Sequence, residues 1–320
     1  TAYHEFTRGG IDLARGRLGD AAASFDAGLE RAEAAEMGWT SLAQGGRAMI
    51  DIFRGDFAAA ATRLDTFGSG GLPEQFGIPA TDRSRLLLLE AQRKLRPAAA
   101  TARRCWERAA DLGLRGWLPT AAIDCARVAR RSDDRELIEL LAGGLEGLST
   151  TSPDATAVAL ALCRDEPEMV GIVATACAQR SHDRGDVITE VSAWEEAACA
   201  AARIGDKATA RDHAHNALVL TQNMEAPALS NRVVSRLRPF GLRLDPAVTR
   251  DRPRYGWGSL TRTEVTVAEL VAAGLSGSEI ATRLYISPRT VQTHVSHALT
   301  KLGLRTRIDL ATFVVGQQQH

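Results

Sequence analysis

Lysine is almost missing from this chain: Lys94, Lys207 and Lys301 are the only ones among 320 residues. None follows a glycine, so the G-x-x-x-x-G-K-S/T run, whose backbone amides and lysine cradle nucleotide phosphates, is not present. Aromatic residues make up 5% of the chain, which speaks against an all-β architecture. No apolar run approaches the roughly 20 residues that a membrane span needs, so no membrane partner is expected. The cysteines (Cys105, Cys125, Cys163, Cys177 and Cys199) are odd in number and scattered over helical text. They read as small buried hydrophobes in a reducing, cytoplasmic setting and not as a disulfide framework. His213 with His215, and His294 with His297, come without the carboxylates or cysteines that would complete a zinc site. No metal, no catalytic constellation and no cofactor of this chain is therefore expected. Formal charge is zero, so the chain as a whole is not a polycation.

What is present is helix. A hydrophobic content of 45% suffices for a core, and the length fits about two domains. From Tyr3 to about Arg238 amphipathic stretches alternate with short turns. Arg17-Leu18-Gly19-Asp20, Arg54-Gly55-Asp56, Leu95-Arg96-Pro97 and Ile204-Gly205-Asp206 each precede an Ala-rich helix. At these turns glycine takes the left-handed position and aspartate caps the next helix. A period of about 34 to 40 residues with small residues at the crossings is that of tetratricopeptide-like repeats. Such arrays stack into a superhelix whose concave face binds a ligand or a partner protein. Breaks between repeats are expected at 68–77, 143–154 and 181–186. Arg130 to Glu136 reads as a solvated helix start. The first residues read as mid-helix text without Met or signal peptide, the pattern of a piece of a longer protein.

The tail is organised differently. Thr261 is placed to cap a helix with Val267, Leu270 and Val271 on one side. Gly274 stops it, and Ser276 with Glu279 forms a capping box for a short second helix carrying Ile280, Ala281 and Leu284 inward. Ser287 caps a third helix with Pro288 at its first position. Val291, Val295, Ala298, Leu299 and Leu302 make its apolar stripe. Gly303 closes it, and Thr306 opens a last helix through Val315. The Leu284-Tyr285-Ile286-Ser287 connection makes the second and third helices a helix-turn-helix. Outward, the third helix turns Arg289, Thr290, Gln292, Thr293 and Ser296, side chains that read bases rather than merely dissolve a surface. Basic residues outnumber acidic ones from Asp251 onward, the sign that phosphates require.

This segment resembles the LuxR-type helix-turn-helix, whose pattern runs L-T-x-R-E-x-E-V-L, G-x-S-N-K-E-I-A, L-x-I-S-x-x-T-V-K-x-H and K-L. The matches are Leu260-Thr261, Glu264, Val267, Gly274, Ser276, Glu279-Ile280-Ala281, Leu284, Ile286-Ser287, Thr290-Val291, His294 and Lys301-Leu302. Thr263, Thr266, Gly277-Ser278 and Gln292 depart from it, and Thr263, Ser278 and Gln292 each remove a basic position. Repeats joined to such a tail also resemble the large ATP-binding regulators of the LuxR family, in which a nucleotide-binding domain comes first.

The resulting expectation is an all-α chain: a tetratricopeptide-like array over 1–240, a linker over 241–256, and a four-helix LuxR-type domain over 257–320. The resemblance implies a bacterial, sequence-specific transcription regulator that is no enzyme and binds double-stranded promoter DNA. Gln292, Thr293 and Ser296 would read bases. Ser287, Arg289, Thr290 and Lys301, and more weakly Arg283, Arg305 and Arg307, would hold phosphates. Glu264, Glu279, Ile280, Ala281, Leu284, Ile286, Val291 and Val295 would form the scaffold. In this family the last helix commonly makes the dimer contact, so Ile308, Ala311 and Val315 are assigned to a homodimer on DNA. A small-molecule inducer or a protein partner would act on the array. The alternative is a repeat-based interaction scaffold with a vestigial DNA-binding tail.

Overall fold

A computed structural model describes residues 1–35, 40–66, 78–114, 116–148, 153–245, 262–284, 288–302, 304 and 306–317. It divides into two compact units, Thr1–Val248 and Thr249–His320. Among the described residues there are α-helices and one 3-10 turn, and no strand. The all-α expectation is met.

The first unit holds α1 (Ala2–Ala14), α2 (Leu18–Ala34), α3 (Ser41–Arg54), α4 (Phe57–Thr66), α5 (Ile78–Ala91), α6 (Leu95–Asp111) and α7 (Leu118–Ser132). It continues through α8 (Arg135–Glu146), α9 (Pro153–Arg164), α10 (Pro167–Arg184), α11 (Val187–Arg203), α12 (Lys207–Asn223) and α13 (Pro227–Leu237). Each helix packs on its sequence neighbour, the pattern of antiparallel hairpins in a repeat array. The Gly-Asp turns explain the hairpins locally. Gly55 and Gly205 sit at φ 90° and 87°, where a Cβ is strained. The following Asp56 and Asp206 then accept the amides of Ala59 and Thr209, each at 3.0 Å. The same device appears at Gly185 and Asp186.

Several expected turns lie elsewhere. Gly19 and Asp20 fall inside the first turn of α2, and the left-handed residue is Gly16. Pro97 sits within the first turn of α6, where its missing N–H costs nothing, and Arg93 makes the turn. Ser181 to Arg184 complete α10. Gly143 and Gly144 belong to α8, where Gly144 lies against the indole of Trp106. The break at 68–77 falls outside the described residues.

The inner side of the array is filled. α1 meets α11 and α3 meets α13, so the first and last hairpins share one core with the middle of the chain. Phe6, Phe25, Ile50, Leu86, Leu137 and Leu145 are buried in it, along with Ile188, Met224 and Leu229 from the later helices. A network of ion pairs bridges the remaining gap. Arg127 of α7 donates from Nε and Nη2 to the two Glu90 carboxylate oxygens at 3.0 and 2.9 Å, and from Nη2 to Asp124 at 2.7 Å. Arg232 of α13 grips Glu195 of α11 at 2.7 to 3.2 Å, and Arg236 grips Glu196 at 2.6 and 2.8 Å. Arg131, read in the sequence as part of a solvated helix start, donates to Glu90 at 2.6 Å. Asp134 does start α8, accepting from the amide of Leu137. The five cysteines are buried and form no disulfide. Burial pushes the thiols of Cys163 and Cys199 up to about 12 and Cys177 to about 11, so they stay protonated near neutrality.

A candidate nucleic-acid interface

The second unit consists of α14 (Arg262–Ala272), α15 (Gly277–Leu284), α16 (Pro288–Leu302) and α17 (Arg307–Gln317). Its core collects Val267, Ala268 and Val271 from α14, Ile280 and Ala281 from α15, Val291, Val295 and Ala298 from α16, and Leu310 and Val314 from α17. Leu284 is half-buried beside them, and Glu264 is buried at the start of α14. The turns between helices are built from hydrogen bonds that the sequence encodes. Gly274, at φ 82°, ends α14 in a Schellman motif, with its amide on Val271 O and that of Leu275 on Leu270 O. Ser276 and Glu279 close a reciprocal capping box on α15, the Ser276 amide donating to Glu279 Oε2 at 2.7 Å and the Glu279 amide to Ser276 Oγ at 3.3 Å. The hydrogen bonds from Ser276 hold the Glu279 carboxyl below its usual range. Thr306 and Asp309 repeat the device at the start of α17.

With its apolar stripe committed inward, α16 has one face left over. Val291, Val295 and Ala298 are buried at helical spacing, while Gln292 and Ser296 are exposed four residues apart. His294, between the two faces, is half-buried. The remaining α16 candidates, Arg289, Thr290, Thr293 and Lys301, have side chains outside the described part, as has Val315. Ser287, Ile286, Arg305, Gly303 and Thr261 fall outside the described residues altogether, as do Tyr255, Trp257 and Leu260 of the expected linker contact. Of the linker, Leu242 is buried against Val233 and Leu237 of the first unit.

Two arginines of the phosphate set behave differently. Arg283 is exposed on α15 and makes no ion pair among the described residues. Arg307 is half-buried and donates from Nη2 to Leu275 O at 2.6 Å, tying the start of α17 to the end of α14. Nothing in its sequence context marks it for that work. On α17, Leu310 and Val314 are wholly buried and Ala311 partly so, whereas Ile308 is 77% exposed. A large apolar side chain is thus left over after the domain has closed.

Residues 258–314 match the family model described as bacterial regulatory proteins, luxR family. A Mycobacterium bovis protein named as an HTH-type transcriptional regulator is 59% identical over 61 residues, which is 19% of this chain and 7% of that protein. The chain thus spans a small part of the length of such mycobacterial relatives. The oxygen regulatory protein NreC of Staphylococcus aureus is 36% identical over 56 residues, 18% of this chain and 26% of NreC. The transcriptional regulatory protein YhcZ of Bacillus subtilis, itself uncharacterised, is 31% identical over 194 residues, 57% of this chain and 85% of YhcZ. No solved structure matches the chain. With a helix-turn-helix of this build over 258–314 and this identity across 85% of YhcZ, the chain belongs to the luxR family of bacterial regulatory proteins.

Proposed function

We propose that the chain is a sequence-specific, DNA-binding transcription regulator. α16 acts as the recognition helix in the major groove, and the helical array acts as the sensing body. The observation that carries this is the exposed polar face of α16, with Gln292 and Ser296 outward over a buried Val291-Val295-Ala298 stripe. A groove-inserted helix needs that division: a rigid apolar back that fixes its angle, and polar side chains exposed on the side that faces base edges. Gln292 matches an adenine edge in bidentate fashion, Thr293 offers a methyl to thymine, and Ser296 bonds to either base type. Ser287, Arg289, Thr290, Lys301, Arg283 and Arg305 hold phosphates, the first three around the start of α16. Arg307 contributes charge while serving its structural bond.

The division of labour runs with the array over 1–240, a linker over 241–256 anchored at Leu242, and the DNA-binding domain over 257–320. The exposed Ile308 on α17 supports a homodimer contact that includes Ala311 and Val315. No catalytic step is assigned to the chain, and the reading places it in the cytoplasm. Among the described residues no helix is long and apolar enough to cross a membrane. Selection of bound sequences from random DNA, followed by gel shifts with the Gln292→Ala/Thr293→Ala variant, tests the base contacts. The variant is expected to retain non-specific binding and lose sequence preference; unchanged selectivity refutes the assignment.

A further inference from the structure

A cavity of about 590 Å³ opens within the array between α7, α10, α11 and α13. Six arginines line it (Arg93, Arg127, Arg130, Arg131, Arg203 and Arg236) against a single carboxylate, Glu196. The acids behind its wall do not balance them. Asp165 is shared by Arg130 and Arg203, Glu90 by Arg127 and Arg131, Asp124 by Arg127 and Arg83, and Glu195 by Arg236 and Arg232, while Arg93 has no acidic partner among the described residues. One donor is left over in the floor. Arg127 Nη1 is fully buried and has no hydrogen-bond partner among the described residues, and a Glu196 carboxylate oxygen stands 3.8 Å from it. A buried guanidinium N–H without an acceptor is rare in folded proteins and marks a place where an acceptor belongs. Leu162, Val170 and Pro239 give the same cavity an apolar wall.

We infer that this cavity binds a small organic oxyanion, a phosphate or carboxylate head on an apolar body. Planar guanidinium forks match such heads bidentately. A site that is mostly pre-formed, with convergent donors and an apolar wall, is the usual build of a small-molecule pocket. The head is received by Arg93, Arg131 and Arg203 over the unpartnered N–H of Arg127, and the body lies on the apolar wall. As an effector of DNA binding this ligand would be the signal that the array senses. That consequence rests on the regulator reading; the binding itself does not.

The test titrates the full chain with phenyl phosphate, and in parallel with benzoate, inorganic phosphate and phenol, at matched ionic strength, by calorimetry and thermal shift. Phenyl phosphate or benzoate is expected to bind saturably and raise Tm, whichever is tighter identifying the head, while neutral phenol does neither. Arg93→Asn combined with Arg203→Gln is expected to weaken binding at least tenfold. Asn suits the left-handed backbone of Arg93, at φ 59°, and the unliganded Tm checks that the variant folds. Absence of binding by every anion, or equal binding by wild type and folded variant, overturns the inference. The Gln292→Ala/Thr293→Ala variant is expected to bind the anion as wild type does, so the failure of either reading is seen separately.

Discussion

Glu90 is where the chemistry of single residues is most exposed to test. Its carboxylate is buried between α5 and α7, and burial alone would push its pKa up. The charge of Arg127 and the hydrogen bonds from it, followed by Arg232 and Arg131, outweigh burial and hold the carboxyl well below the ordinary carboxylate range. A folded-state pKa below the unfolded value of 4.5 means that the unfolded chain takes up protons first as pH falls. The stabilisation is therefore fully present above about 4.5 and drains away as pH drops towards the folded pKa. Removing one member of a buried pair strands its partners and costs about 3–5 kcal/mol. Glu90→Gln is expected to lower Tm strongly at pH 7, and the gap from wild type is expected to narrow as pH falls below 4.5. A gap that stays constant from pH 7 to pH 3 contradicts the assignment. Arg127, Glu195 and Glu196 are not legible in the sequence as a network, because apart from the Asp124–Arg127 pair their partners lie far along the chain. Arg127 meets Glu90 across 37 residues of chain, as Arg232 meets Glu195. The doublet Glu195-Glu196 in an otherwise alanine-rich helix was the available signal, since two acids on neighbouring positions of a buried helix need partners.

At the scale of helices and turns, local chemistry was readable where it acts within one turn and unreadable where a neighbour decides. The Gly55-Asp56 and Gly205-Asp206 turns, the Ser276–Glu279 capping box and the Gly274 stop all follow from residues within a few positions of one another, and the structure contains each of them. Gly143-Gly144 reads as a break because glycine weakens a helix, yet the pair lies inside α8. Tertiary contact explains only half of it. A Cβ on Gly144 would come within 2.9 Å of Nε1 of the buried Trp106, whereas one on Gly143 would meet nothing within 4 Å. The two glycines therefore answer the same substitution with opposite signs. Gly143→Ala is expected to stabilise by about 0.5–1 kcal/mol through helix propensity. Gly144→Ala is expected to destabilise, because forcing a methyl against a fixed ring costs about 1–3 kcal/mol. Urea unfolding of both variants checks the pair; equal shifts would mean that Trp106 yields freely.

For the whole molecule the decisive quantity is how many phosphates are neutralised at once. A single helix-turn-helix offers few cations: Arg283, Arg289, Lys301 and Arg305, with Arg307 partly engaged on Leu275 O. Each phosphate contact contributes about 0.9 to the slope of log affinity against log salt on duplex DNA. Two copies joined through α17 would read half-sites about one helical turn apart and double that slope. Ile308, exposed while Leu310 and Val314 are buried, is the side chain whose change should affect pairing and spare the fold. Ile308→Asp is expected to keep the wild-type Tm and the affinity for an isolated half-site. On a two-half-site operator it is expected to lose cooperativity, its salt slope falling to about half the wild-type value. Lys301→Ala, by contrast, should remove about 0.9 from the slope per half-site while leaving cooperativity intact. If Ile308→Asp binds the paired operator with the wild-type slope, the two copies do not meet through this face of α17, and the dimer contact has to be sought on another surface of the chain.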